Sequence, residues 1–450
     1  MSVPAPGLRP TNVRWLIVAM LTGLVFLAHF NRVSISVAAN AYFIGPDKLS
    51  EEQMGLVYSA FLLVYTLGML PGGWLIDRVG PRWAMTVMGL GLGAWAAATG
   101  ALGWSGVAVS AMLVPLLVIR GLAGASSTPL HPGAARSVSL WLPLGERSTA
   151  NGFVTAGALV GIALTYPGFG WLMDTVGWPA AFVVCGGALA LFALLWCVTA
   201  SDDPSGHPRS NAAEREVVQG KDVIPPRARA TPRDFLRLVS NRGLVLLTLS
   251  YGAVCYVQYM FFYWVEYYFK IELKQPPSES RDAAFVITMA MAVGMAGGGW
   301  VSDRLCRWLG HTAGCRVAAF GGMGLAALFS LLGVSTHDPR EVVWCFSLAL
   351  GALGFCEGIF WTTAPTLDTQ NGGLACAVLN TGGNGIGMMA PIFTPLLGQH
   401  FGWTTAILVA CAICGVGGAL WLGIRVAPAV PTSGREKVRA AANGEATWKS

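Results

Sequence analysis

The sequence has few charged residues for its length. Only 12% of its 450 residues are Asp, Glu, Lys or Arg, whereas 54% are hydrophobic. A soluble globular protein carries about a quarter charged residues, so this scarcity excludes an ordinary soluble domain. Long apolar runs with almost no charge are typical of a protein that crosses a lipid bilayer.

Motifs of enzymes, disulfide frameworks and metal sites are also missing. The chain has no G-x-S-x-G, no H-E-x-x-H and no glycine-rich phosphate loop that ends in lysine. Most of the ten cysteines lie within apolar runs, and no C-x-x-C is matched by a second one. We therefore expect no enzymatic activity, no cofactor, no metal and no nucleic-acid partner.

The apolar runs are long enough to form spanning helices, each of which needs about 20 mostly apolar residues. Twelve candidates cover roughly residues 14–40, 53–76, 82–104, 107–138, 148–173 and 177–200, then 243–269, 282–302, 314–335, 341–366, 373–398 and 402–425. The sequence thus predicts an all-α membrane protein with twelve transmembrane helices in two pseudo-symmetric six-helix bundles.

Polar segments separate and follow these bundles. Their proline and charge content predicts solvated chain. We expect an N-terminal bundle over residues 1–200, a cytoplasmic linker over 201–242, a C-terminal bundle over 243–426 and a cytoplasmic tail over 427–450.

The basic residues predict the orientation. If both termini are cytoplasmic, 22 of the 29 Lys and Arg residues lie inside, as the positive-inside rule requires. We expect a multi-pass protein of the cell membrane, or of the inner membrane in a Gram-negative source.

One phrase occurs twice, as GGWLIDR at 72–78 and GGWVSDR at 298–304. The first copy extends to GWLIDRVGPR and resembles the major facilitator superfamily signature G-x-L-x-D-R-x-G-x-R, with every fixed position filled. The resemblance implies the superfamily fold and a cytoplasmic latch between conformational states. Its residues here are Gly73, Asp77, Arg78, Gly80 and Arg82, with Asp303 and Arg304 in the weaker second copy.

Two arginines fall within predicted spans, where an ionisable side chain is costly and indicates function. Arg32 shares a helical face with His29 and Ser36, and its planar guanidinium suits a carboxylate or phosphate. Arg120 precedes Gly124 in an R-x-x-x-G pattern that resembles a second superfamily motif. Arg120 either couples transport or holds helices together.

Further phrases resemble the anion:cation symporter family of organic-anion transporters. They are PGGW (71–74), NRVSISVAA (31–39), WLPLGER (141–147) and LNTGGNGIG (379–387). The resemblance implies a small organic anion as substrate, such as a sugar acid, and usually protons as the coupling ion. Residues expected to bind substrate are His29, Asn31, Arg32, Tyr65, Gln258, Tyr259, Asn380 and Asn384.

The chain departs from that family at expected proton carriers. Asn31 stands where the family has aspartate before the helix-one arginine, and Ser127 stands where sugar-acid members have glutamate. His29, His131 and Glu357 are candidate replacements, because each is titratable and lies within a predicted span. Arg120 is a fourth candidate for proton coupling.

We therefore expect a monomeric secondary transporter of a small organic anion that works by alternating access with proton symport. A proton-independent facilitator or exchanger of monocarboxylates or aromatic carboxylates is the alternative. An organophosphate antiporter is disfavoured, because the seventh span has no Lys or Arg before Lys270. The short linker and tail disfavour a transporter-like sensor.

Overall fold

The computed structural model describes residues 9–219, 232–367 and 372–424, and this part of the chain is almost entirely helical. Helices of the first half are α1 (Val13–Ala38), α2 (Glu51–Val79), α3 (Pro81–Leu102), α4 (Leu113–Ser127), α5 (Leu130–Trp141), α6 (Leu144–Val176) and α7 (Trp178–Thr199). Two short helices follow, α8 (Ala212–Gln219) and α9 (Pro232–Val239). Helices of the second half are α10 (Arg242–Ile271), α11 (Pro277–Leu309), α12 (His311–Val334), α13 (Pro339–Leu367), α14 (Gly372–Gly387), α15 (Ala390–Phe401) and α16 (Trp403–Leu420).

Ten helical segments of the described chain are long and apolar enough to cross a membrane. One of them joins α4 and α5 across an interruption at Thr128 and Pro129. The two remaining predicted spans are α2, whose 29 residues extend about 43 Å, and the pair α14 and α15, which is interrupted at Met388 and Met389. The predicted fold of two six-helix bundles is confirmed.

Each half repeats the same helix packing. In the first half α3 packs against α7, α1 against α6 and α2 against α4. In the second half the corresponding pairs are α12 with α16, α10 with α14 and α11 with α13. The repeated phrase of the sequence therefore reflects a repeated bundle, as expected for a fold built from two related halves.

Four glycines form the tight connections between consecutive spans. Gly80 and Gly177 in the first half have φ values of 81° and 80°, and Gly310 and Gly402 in the second half have 83° and 87°. Their ψ values near 150° complete a conformation that only glycine adopts without strain. These turns let one helix end and the next begin within a single residue.

The first part of the predicted linker packs onto the bundle instead of lying in solvent. Glu214 on α8 is fully buried, and its carboxylate accepts hydrogen bonds from the backbone N–H and guanidinium of Arg14 at 3.1 and 2.9 Å. Arg14 also pairs with Glu146 at 2.9 Å. This terminal cluster of Arg14, Glu146 and Glu214 joins α1, α6 and α8. No signal in the sequence pointed to this contact, because Glu214 is one of several acids in the linker.

The substitution Glu214→Gln tests the terminal cluster, because it keeps the side-chain shape but removes a buried charge that Arg14 requires. Breaking a buried ion pair is costly, and since Arg14 keeps Glu146 we expect a loss of about 2 kcal/mol. The thermal midpoint of the detergent-solubilised protein should fall. Glu216→Gln, on the exposed side of α8, is the matched control. Equal midpoints for the two variants would contradict this role of Glu214.

Candidate functional site

Arg32 lies on α1 at the interface between the two halves. Its guanidinium donates a hydrogen bond to the hydroxyl of Tyr259 on α10 at 3.2 Å. It also lies over the rings of Phe61, Tyr65 and Tyr259, at 5.0, 5.6 and 5.4 Å from their centroids. No carboxylate of the described residues forms an ion pair with Arg32. Aromatic faces stabilise a cation only partly, so the guanidinium retains capacity for an anion.

Arg120 braces the backbone beneath Arg32. Its guanidinium donates to the carbonyl oxygen of Arg32 at 2.8 Å and lies 4.7 Å from the centroid of Phe61. A Cβ atom on Gly124 would lie only 2.4 Å from the carbonyl oxygen of Phe61, so the R-x-x-x-G pattern permits close approach of α4 to α2. These contacts hold helices together, which is one of the two roles predicted for Arg120.

A chain of hydrogen bonds continues from Arg32 into the second half. The hydroxyl of Tyr259 donates to the Oδ1 atom of Asn384 at 2.5 Å. The Nδ2 group of Asn384 then donates to the backbone and side-chain oxygens of Asn380, at 2.9 and 2.8 Å. Four of the predicted binding residues, with Tyr65 above, therefore lie in one connected cluster across the interface. We call these five residues the central cluster.

Glu357 lies on α13 beside the central cluster. Its carboxylate accepts hydrogen bonds from the Nε2 group of Gln258 at 2.7 Å and from the hydroxyl of Tyr251 at 3.3 Å. Gln258 was predicted to bind substrate, as were Arg32 and Tyr259, but its hydrogen bond goes to Glu357, and the neighbouring Tyr259 contacts Arg32. Tyr251 was not among the predicted binding residues. It lies two helical turns from Gln258, so the helical period itself indicates that the two share a face.

His29 and His131 form a pair within the first half. Their ring centroids lie 5.3 Å apart at an interplanar angle of 62°. The Nδ1 atom of His29 lies 2.9 Å from the carbonyl oxygen of Val25, and because that oxygen can only accept, Nδ1 carries the proton and Nε2 is the free acceptor of the neutral ring. His29 is one helical turn before Arg32, so a proton on either ring would lie near the guanidinium.

Asn31 and Ser127 lie away from this site. The Nδ2 group of Asn31 donates to the carbonyl oxygens of Leu27 and, at 3.3 Å, of Cys185 on α7. Adjacent residues of a helix point about 100° apart, so Asn31 faces α7 while Arg32 faces the interface. Ser127 is buried and donates to the backbone of its own helix, at Ala123.

The predicted latch is described only in part. The surroundings of Gly73 and the side chains of Asp77 and Asp303 lie outside what the structure describes, and Arg78 is exposed at the end of α2. Arg82 anchors the turn at Gly80: its backbone N–H donates to Asp202 at 2.8 Å and its guanidinium to the Cys197 carbonyl at 2.7 Å. In the second copy the guanidinium of Arg304 lies 4.2 Å from the ring centroid of Trp300.

Polar contacts join the halves at the end of the bundle opposite the start of α1. Arg281 on α11 contacts Asp174 on α6 at 2.5 and 3.2 Å, with Glu266 on α10 at 4.0 Å. We call these three residues the distal lock.

Other contacts reinforce the distal lock. Tyr267 donates to Glu51, Gln399 donates to Glu51 at 2.6 Å, and Lys270 donates to the carbonyl of Asn40. The interface is thus closed at this end. Sequence reasoning missed these residues, because they are ordinary loop and helix-end polar groups until the halves meet.

A profile of the Major Facilitator Superfamily matches residues 21–372. The chain belongs to the major facilitator superfamily. It is therefore a multi-pass membrane transporter and not an enzyme. Among the described residues, no group of three or more His, Cys, Asp or Glu that suits a metal is found.

Individual relatives agree with this assignment. The chain is 31% identical to the Probable galactarate/D-glucarate transporter of Bacillus subtilis, covering 87% of this chain and 86% of that protein. It is 28% identical to the D-galactonate transporter of Escherichia coli O6:H1, covering 93% and 96%. A solved bacterial homologue of the human lysosomal transporter Spinster shares the fold, with a TM-score of 0.72 at 18% identity over 93% of this chain and 99% of the other.

The substitution Asp174→Asn tests the distal lock, because it leaves Arg281 with only the longer contact to Glu266. We expect the distal end to separate more often. Spin labels introduced at Glu52 and Asp282 through a non-canonical amino acid, which spares the ten native cysteines, should report longer distances. Asp47→Asn, an exposed loop change, is the control. An unchanged distance distribution in Asp174→Asn would contradict the distal lock.

Proposed function

We propose that this transporter moves a small organic anion, a carboxylate such as a sugar acid, by alternating access in symport with protons. The observation that carries this proposal is the guanidinium of Arg32, which lies between the halves without a carboxylate partner among the described residues. A bidentate bond to a carboxylate is the partner for which that group is suited. The named substrates of the relatives, galactarate, D-glucarate and D-galactonate, are all sugar acids.

The central cluster supports alternating access, because it is built from both halves. Arg32 and Tyr65 belong to the first half, and Tyr259, Asn380 and Asn384 to the second. An anion on Arg32 competes for the hydrogen bond between Arg32 and Tyr259, and the hydroxyls of a polyol acid match the amides of Asn380 and Asn384. Substrate binding therefore changes the contacts between the two halves. In the proposed cycle the distal lock opens when the transporter changes to the conformation that is open at the distal end.

The histidine pair supports proton symport. A proton on His29 or His131 is repelled by the nearby charge of Arg32, and this repulsion is strong in a medium of low dielectric constant. An anion bound to Arg32 removes the repulsion, so anion binding favours proton binding. Because such coupling is reciprocal, proton binding equally favours the anion. Glu357 is the other proposed proton carrier, and Arg120, whose guanidinium is held by the Arg32 carbonyl, has the weaker geometry for it.

The alternative is a proton-independent facilitator or exchanger of monocarboxylates or aromatic carboxylates. It is favoured by Asn31 and Ser127, which supply amide and hydroxyl groups where the anion:cation symporter family, which this chain resembles, has carboxylates. In either form we propose the orientation with both termini cytoplasmic, so that the distal lock closes the external side. We also propose the domain boundaries 1–200, 201–242, 243–426 and 427–450, and a monomeric state.

Uptake into proteoliposomes tests the proposal. The panel is galactonate, gluconate, hexuronates, aldarates, simple monocarboxylates and phthalate, each with and without an imposed inward proton gradient. We expect accumulation of at least one carboxylate, reduced at least about 100-fold in Arg32→Ala, because a charged hydrogen-bond pair is worth about 3 kcal/mol. Arg340→Ala, an exposed loop arginine, is the matched control. Full activity of Arg32→Ala, or no carboxylate uptake by the wild type, would remove the proposal.

The proton site is tested with His131→Gln, which keeps a polar side chain but cannot carry a proton. If the histidine pair couples transport, this variant should exchange labelled substrate across the membrane while no longer accumulating it against a gradient. His337→Gln, an exposed histidine, should accumulate normally. Loss of accumulation in Glu357→Gln but not in His131→Gln would assign the proton to Glu357. Accumulation by wild type without any proton gradient would favour the proton-independent alternative.

A further inference from the structure

The charges around the central cluster are distributed unequally between the halves. The first half supplies Arg32, whose guanidinium points across the interface to Tyr259. The second half supplies no Lys or Arg in α10 between Arg242 and Lys270, and none in α13 after Arg340. Among the described residues of this half, Glu357 is the carboxylate that bonds to α10 next to the cluster, through Gln258 and Tyr251. A ligand that touches both halves therefore meets a cation at one end and a carboxylate at the other.

The geometry gives the ligand a direction along the bundle. Tyr259, which contacts Arg32, and Tyr251, which contacts Glu357, lie on the same helix, about 12 Å apart along its axis. Gln258 holds the second oxygen of Glu357, so the carboxylate lies between these two levels. A ligand with its anionic group on Arg32 would extend from there toward Glu357, which is the direction away from the closed distal end.

Glu357 is held in a way that leaves it open to a further donor. Each of its oxygens accepts one hydrogen bond, from Gln258 or from Tyr251, although a carboxylate can accept about four. No cation of the described residues forms an ion pair with it, and its side chain remains partly exposed. Arg120 does not supply the missing cation, because its guanidinium is bound to the Arg32 carbonyl and packed on Phe61.

We infer that Glu357 is a specificity-determining residue: the transporter selects a monoanion whose far end donates a hydrogen bond, and rejects dicarboxylates. This inference rests on the proposed function and narrows its substrate class. A hydroxyl group at the far end satisfies a free lone pair of Glu357. A second carboxylate there meets a like charge without a compensating cation, which is unfavourable in a site of low dielectric constant. The selectivity thus differs from that expected of an aldarate carrier.

Matched pairs of acids test this inference, because galactonate and galactarate differ only in a terminal CH₂OH or carboxylate, as do gluconate and glucarate. Apparent affinities are measured by competition for uptake into proteoliposomes at mildly alkaline pH. We expect the wild type to prefer the monoacid of at least one pair by at least about tenfold. Glu357→Gln, which keeps the shape of the side chain but removes its charge, should reduce that preference to about threefold or less. Glu341→Gln, an exposed acid at the start of α13, should leave it unchanged.

The outcomes separate this inference from the proposed function. Equal affinity of the wild type for both acids of each pair, or preference for the diacids, overturns the role of Glu357 but leaves anion transport intact. The same holds if Glu357→Gln is monodisperse in detergent, still transports, and retains the tenfold preference. Uptake of other carboxylates but of no acid in either pair also overturns the selectivity. Absence of uptake for every carboxylate removes the proposed function, and this inference with it.

Discussion

The guanidinium of Arg32 is the constraint on which the rest of the site depends. A charge in the interior of a membrane protein is costly unless it is solvated or paired. Here it is stabilised by three aromatic rings and one phenol hydroxyl, none of which carries a full negative charge. Such partners hold the group in position without neutralising it. Two neighbouring residues help to hold this guanidinium in place. Arg120 donates a hydrogen bond to the backbone of Arg32, and the ring of Phe61 packs against both guanidinium groups.

The scaffold consists of two copies of one bundle, and Arg32 lies at the interface between them. The same three helix pairs recur in each half, and glycines with φ near 80° connect consecutive spans at both ends. The contacts within each half are therefore of one kind, repeated in both bundles. The distal lock consists of polar contacts. Water can replace such hydrogen bonds when two surfaces separate.

The sequence was sufficient for the fold and for part of the site. Long apolar runs and a repeated phrase predicted two six-helix bundles, and Arg32, Tyr259 and Asn384 were each named as binding residues without any prediction that they touch. The sequence was insufficient where the orientation of a side chain depends on which helix packs against it. Asn31 adjoins Arg32 in the chain but faces α7, and Gln258 bonds to Glu357 instead of facing Arg32. Neighbouring residues on a helix point about 100° apart. Sequence spacing alone does not tell which of two neighbours faces the site until the position of the partner helix is known.

The terminal cluster has a consequence for the order in which the chain is made. Arg14 is synthesised 200 residues before Glu214, its buried partner. While the first span enters the bilayer, Arg14 is thus still a free positive charge at its entrance, where such charges direct topology. Glu146 on α6 is the first of its two acidic partners to be translated, and Glu214 on α8 follows only after the whole first bundle has been made. The terminal cluster can therefore be completed only once every helix of the first bundle has been translated.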